Sequence, residues 1–151
     1  MAGIEHKLEV DAATSRRLAR VRRRDTEPEL AVRRALHAAG FRYRVRNQDL
    51  PGSPDVANRS RRWAVFVHGC YWHHHPGCSR ATVPKRNRDF WLEKFESNRL
   101  RDHRKSAELE QLGFRVITVW ECETTESEIV DRVLLDPLSR FLSAQPSNGT
   151  T

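Results

Sequence analysis

Two cysteines set close together and a third far along the chain constrain the fold more than any other feature of this 151-residue sequence. Cys70 and Cys78 bracket the run Tyr71-Trp72-His73-His74-His75-Pro76-Gly77, and Cys122 stands well downstream. Thiolate and imidazole are the donors that zinc selects, and three cysteines with one histidine fill four tetrahedral positions. A site filled in this way has no vacancy for water or substrate. It would be structural, and the chemistry would lie elsewhere. Residue order leaves open which of His73, His74 and His75 completes the set, because a short loop can turn any of them inward. Three unlinked buried thiols beside a surface histidine run would produce the same letters. An odd cysteine count argues against a disulfide framework, and the opening residues do not read as a charged-then-apolar leader. The expectation is a reducing, cytoplasmic compartment in which thiolates are available to metal.

The pattern between the cysteines predicts how they meet. Trp63-Ala64-Val65-Phe66-Val67 is short and continuously apolar, as a strand covered on both faces should be. Residues from about Asn87 to Leu112 are helical in composition, as one long helix or two shorter ones, and Gly113 ends them. Phe114 to Trp120 returns to β-rich residues. Strand, helix and strand in that order make a crossover with parallel strands, so Cys70 and Cys122, each just past a strand, should be neighbours. Upstream, Thr26-Glu27-Pro28-Glu29 has the form of a capping box with proline in the first turn, opening a helix through Val32, Ala35, Leu36 and Ala39 to Gly40. Phe41, Tyr43 and Val45 alternate with Arg42, Arg44 and Arg46, the period of a half-buried strand with a basic outer face. Leu50-Pro51-Gly52-Ser53-Pro54 is a turn, and Asp55-Val56-Ala57 starts another strand. A last helix, Ser127 to Phe141, should be perturbed at Asp136-Pro137. The fold class is therefore α/β, a mixed central sheet flanked by helices with a structural zinc site.

The chain is long enough for one domain, and no apolar run approaches the roughly 20 residues needed to span a bilayer. Lys plus Arg is 27 against 20 acids, a net +7. The excess is mostly arginine, whose planar fork suits phosphate, so nucleic acid is the leading class of partner and a membrane is not expected. Residues 1–24 carry few large apolar groups and end in Arg22-Arg23-Arg24, which reads as a basic arm, flexible or ordered on DNA. Residues 25–142 would form the single domain, and 143–151 a disordered tail.

Several residues could carry chemistry. Asp55 follows Pro54 at the mouth of a strand, where a carboxylate is held rigidly and could coordinate magnesium, although a plain turn aspartate would look the same. The neighbouring strand ends at Val67-His68 near the same edge and offers a backbone carbonyl and an imidazole. His73 has the near-neutral titration suited to moving a proton. Glu29 caps its own helix and could also hold a water. Tyr71 and Trp72, with Trp91 beyond a basic segment containing Lys85 and Arg86, could wedge into a base step, or could be ordinary core aromatics.

These anchors taken together resemble the very-short-patch mismatch-repair endonucleases. They are Thr26-Glu27-Pro28-Glu29, Leu50-Pro51-Gly52-Ser53-Pro54-Asp55, Phe66-Val67-His68-Gly69-Cys70-Tyr71-Trp72-His73, Phe90-Trp91 with Asn98, Arg101 and Asp102, and Val119-Trp120-Glu121-Cys122. The resemblance implies a restriction-endonuclease-like core in a bacterial, cytoplasmic, nucleoid-associated enzyme that nicks duplex DNA 5′ of the thymine in a T:G mismatch. Asp55 and the Val67 carbonyl would hold catalytic magnesium, His73 would be the acid or base, and His68 and Glu29 would orient water and phosphate. Cys70, His75, Cys78 and Cys122 would hold structural zinc. Tyr71, Trp72 and Trp91 would wedge beside the mismatch, with Arg22, Arg23, Lys85 and Arg86 on the DNA. The asymmetry of a single mismatch favours a monomer, and repair factors would act downstream. Pro76-Gly77 lengthens the zinc loop relative to the family, and His68 stands where many restriction folds place a lysine. Two other readings fit the same residues: a sequence-specific restriction or defence nuclease, and a zinc-stabilised DNA-binding module without chemistry.

Overall fold

The structure, a computed structural model, describes residues 25–145. The N-terminal basic arm, Arg22 and Arg23 included, lies outside the described residues, as does the chain after Gln145. Helix α1 (Glu27–Ala38) starts at the Thr26 N-cap, whose hydroxyl accepts from the Glu29 amide. Its apolar stripe buries Val32 and Leu36. Strand β1 (Val56–Asn58) runs antiparallel to β2 (Trp63–His68), and β2 runs parallel to β3 (Arg115–Trp120), in the order β1-β2-β3. Helix α2 (Arg88–Gln111) makes the crossover as one unbroken helix.

Strand β2 is covered on both faces because its side chains alternate between two cores. Trp63 and Val65 pack with Val32, Leu36, Ile117, Val119, Leu134 and Leu138, under α1 and the C-terminal helices. Ala64 and Phe66 pack with Leu109 and Phe114, under the end of α2. After β3, a 3₁₀ turn (Glu121–Thr124) leads to α3 (Ser127–Val130), a wide π-type stretch (Asp131–Leu135) and α4 (Asp136–Ala144). The widened register lies just ahead of Pro137, which has no N–H to give to an upstream carbonyl. α4 runs to Ala144, and Gln145 Nε2 donates to the Arg61 carbonyl. Among the described residues no helix is long and apolar enough to cross a membrane.

The strand expected from Phe41 to Val45 forms only one bridge, Arg44 to Ala57. Phe41 and Tyr43 do pack on the core, as the alternation requires. Pairing stops because Asn47 Nδ2 donates to both the Arg44 and Pro54 carbonyls, turning the chain away and leaving Val45 41 % exposed.

Candidate active site and metal centre

β2 and β3 leave the sheet side by side, His68 opposite Trp120, so the residues after each strand are forced together. Cys70 and Cys122 each stand two positions past that pair, and the Cys122 amide donates to Cys70 Sγ at 3.4 Å. The intervening loop folds on itself: the His73 amide donates to the Gly69 carbonyl at 3.1 Å, and the His75 amide to the Cys70 carbonyl at 2.9 Å. His75 Nδ1 then lies 3.8 Å from Cys70 Sγ and 3.5 Å from Cys122 Sγ. Donor atoms of Cys70, His75, Cys78 and Cys122 all fall within 4.8 Å of one another. Zinc–sulfur bonds of about 2.3 Å and zinc–nitrogen bonds of about 2.0 Å at a tetrahedral angle separate the two donors by roughly 3.6 Å, so this set fits a zinc ion. Burial pushes the Cys70 thiol up to about 12, a group that metal-free protein keeps protonated and a bound cation would deprotonate.

The three consecutive histidines turn three ways. His75 faces the cysteines and stacks on Trp120, ring centroids 4.1 Å apart. His74, in a left-handed backbone conformation at φ 49°, stacks on Phe95 at 4.5 Å. His73 points into a cleft.

That cleft, about 1160 Å³, opens on the same rim of the sheet, between the start of α1, the turn before β1, the Cys70–Cys78 loop and one face of α2. Asp55 Oδ2 accepts the Val67 N–H at 2.6 Å. Gly52 shapes the turn that delivers Asp55. Its φ is +75°, and a Cβ there would stand 2.8 Å from Lys105 Cβ and 3.0 Å from the Phe66 ring, so only glycine lets the turn press on α2 and β2. Burial pushes the Asp55 carboxyl up to about 6; the Val67 amide opposes this and the charge of Glu29 adds to it. Glu29 is buried, lines the cleft, and accepts the Asp25 N–H at 2.8 Å.

His68 is 7 % exposed and lies flat against His73, centroids 3.9 Å apart and planes 1° apart. Burial, and then the neighbouring His73, pushes its imidazole down to about 4. His73 Nδ1 lies 2.6 Å from Asp102 Oδ2. Burial alone would raise the Asp102 carboxyl, but the His73 contact and nearby charges outweigh it and hold it below its ordinary range. A carboxylate at Nδ1 accepts that N–H, so Nε2 is the nitrogen left to exchange a proton.

Tyr71 and Trp72 line the cleft as an edge-to-face pair at 5.0 Å. Asn98 Nδ2 donates to the Trp72 carbonyl at 3.2 Å, and Arg101 donates to Asn98 Oδ1 at 2.7 Å. Trp91 is placed differently from this pair: it is 7 % exposed and packs on Phe90 and Phe95, away from the cleft. Lys85 and Arg86 are exposed ahead of α2 and do not line the cleft. Sequence reasoning reached Asn98, Arg101 and Asp102 only as points of resemblance and gave them no role. Their i, i+3, i+4 spacing on a helix that must pass the Cys70–Cys78 loop was the available signal.

The model of the family "DNA mismatch endonuclease Vsr" matches residues 9–80. The chain is 48% identical over 120 residues to "Type II nicking enzyme V.XorIIP" of Xanthomonas oryzae pv. oryzae, covering 78% of this chain and 88% of that one. It is 43% identical over 110 residues to "Type II nicking enzyme V.NmeAIP" of Neisseria meningitidis, covering 73% and 78%. It is 36% identical over 139 residues to "DNA mismatch endonuclease Vsr" of Escherichia coli, covering 91% and 88%.

Proposed function

This chain belongs to the Vsr family of DNA endonucleases, a hydrolase acting on DNA, and from that premise we propose that it nicks duplex DNA 5′ of the thymine in a T:G mismatch, using magnesium. The observation that carries the reading is one cleft in which Asp55, His68 and the His73–Asp102 pair lie beside two aromatic rings on the loop that carries the cysteine–histidine cluster. We read the core as restriction-endonuclease-like, and the cysteine–histidine centre as structural zinc held by Cys70, His75, Cys78 and Cys122.

Asp55 and the Val67 carbonyl hold the magnesium in this reading. A strand residue directs its N–H and C=O to the same side, and the Val67 N–H already meets Asp55, so its carbonyl serves the same space. Magnesium, when bound, supplies positive charge against the scissile phosphate. His73 Nε2 moves the proton, as base toward water or acid toward the leaving oxygen, while Asp102 fixes the tautomer. His68, neutral at pH 7, holds the plane of the His73 ring and with Glu29 orients water and phosphate. Tyr71 and Trp72 enter the base step beside the mismatch, where unstacking costs least. Trp91 supports that loop from the core. Arg22 and Arg23, with Lys85 and Arg86, contact phosphate. The protein acts as a monomer in the bacterial cytoplasm, on the nucleoid, ahead of other repair factors.

Zinc-loaded protein with magnesium should cut T:G duplexes and leave C:G and T:A duplexes intact. Equal cutting of all three, or of none, removes the reading. The names of the Xanthomonas and Neisseria relatives support a second reading, a sequence-specific nicking or defence nuclease using the same cleft on matched DNA. Cleavage mapping on matched plasmid separates the two.

A further inference from the structure

We propose that the rim of the sheet opposite the cleft is a second surface for duplex DNA, one that holds a separate stretch of duplex while the cleft is occupied. The rim is built from the starts of β2 and β3 and the tight turn before β2. Arg59, Arg61 and Arg62 lie in or beside that turn, and all three are exposed. Arg115 opens β3 opposite Trp63, and its amide donates to the Arg62 carbonyl at 2.8 Å, so these two arginines are adjacent. Arg42 joins them from the preceding segment, because Asn58 Nδ2 donates to its carbonyl at 3.0 Å. Asp49 offsets one of these charges through its ion pair with Arg59. Arg62 is partly held by its bond to the Leu112 carbonyl and its position over the Phe114 ring. Arg42, Arg61 and Arg115 are exposed on the same rim.

Five arginines on one rim match a polyanion, and a guanidinium pairs with phosphate in two-pronged fashion. The location decides which DNA they meet. The cleft sits at the His68 end of β2 and the arginines at the Trp63 end, five strand steps or about 17 Å away at roughly 3.3 Å per step, on the opposite rim of the sheet. A duplex is stiff over about 150 base pairs, so one straight duplex seated in the cleft does not also reach the far rim. The occupant is therefore another duplex segment, held through its phosphates and without sequence preference. Such a grip would keep the protein on bulk DNA while the cleft samples base pairs.

The test uses full-length zinc-loaded protein in calcium, which prevents turnover, with a short T:G duplex and a differently labelled matched duplex. Sedimentation velocity should show one protein chain carrying both duplexes. The variant Arg42→Ala/Arg61→Ala/Arg115→Ala should lose the matched duplex at least tenfold, with a salt slope shallower by about 0.9 per arginine. Its nicking of the short T:G duplex in magnesium should be unchanged. One duplex per chain at every concentration overturns the proposal, as does a matched duplex bound equally by the variant. Binding of an acidic protein but no second duplex assigns the rim to a different partner and overturns it also. This proposal rests on the cleft being a DNA site; T:G binding by the protein without the matched duplex present tests that reading, and loss of the matched duplex by the variant while the T:G duplex stays bound tests the rim, so the two fail separately.

Discussion

Asp102 Oδ2 stands 2.6 Å from His73 Nδ1, although the two residues come from different elements, the Cys70–Cys78 loop and α2. The contact selects one imidazole nitrogen for exchange with the cleft and gives α2 a role beyond linking two strands.

Replacing Asp102 by Asn keeps the shape but removes the negative charge, and an amide that can donate as well as accept no longer fixes one tautomer. Single-turnover nicking should fall about 10²-fold or more, within the range contributed by positioned acid–base groups. Affinity for a T:G duplex should stay within about twofold, and the pH profile should move. An unchanged rate, or a loss confined to binding, would assign Asp102 to DNA contact instead.

On the proposed reading, Asp55 sets stability against function. Its carboxyl titrates near 6 in the fold, against 3.8 for an unburied aspartate. The folded state thus binds the proton more tightly, and the associated stability is full below pH 3.8 and lost as pH rises through 6. Asp55→Asn, which cannot ionise, should make magnesium-free protein more stable above pH 6, by up to about 3 kcal/mol in urea unfolding, while nicking disappears. A destabilised variant with intact nicking would contradict both roles.

His68 works in the opposite sense. Its imidazole titrates near 4 in the fold, against 6.5 for an unburied histidine, so its contribution is complete above pH 6.5 and disappears as pH falls toward 4. Between pH 7 and 4.5, Asp55→Asn should lose up to about 3 kcal/mol more than the double variant Asp55→Asn/His68→Gln. That difference cancels acid release of metal common to both. Parallel stability curves would show that His68 is not buried neutral.

The metal centre should be part of folding. Chelation of zinc, or Cys122→Ser, leaves Cys70 and its loop unanchored to β3, and structural zinc contributes on the order of 10 kcal/mol, as much as a whole small domain's stability. Near-ultraviolet dichroism should collapse and Trp120 emission should change as His75 leaves its ring. Native dichroism in metal-free protein would refute the structural assignment.

Two tryptophans should separate by phenotype. Trp91→Ala empties a core site and should cost about 3–5 kcal/mol. Trp72→Ala should cost far less stability and lower the preference for T:G over T:A. Equal destabilisation of the two would place Trp72 in the core.

The crossover and the union of Cys70 with Cys122 were legible because strand composition and parallel pairing fix them together. Asp55 was legible from the rigid turn before it. The partner of each histidine was not, since His73, His74 and His75 are equivalent in sequence and are sorted only by the turns after Gly69 and the left-handed residue at His74. The strand at Phe41–Val45 misled because alternation records which side is buried, while Asn47 decides where pairing stops. Trp91 was ambiguous because a buried tryptophan and a wedging one share the same neighbours in sequence.

Nick mapping on a T:G duplex labelled on both strands, with zinc-loaded protein and magnesium, tests the central claim most directly. A single break immediately 5′ of the mismatched thymine, with none in the opposite strand and none with Asp55→Asn, is the expected result. Breaks in both strands, breaks in matched duplex, or full activity of Asp55→Asn would contradict it.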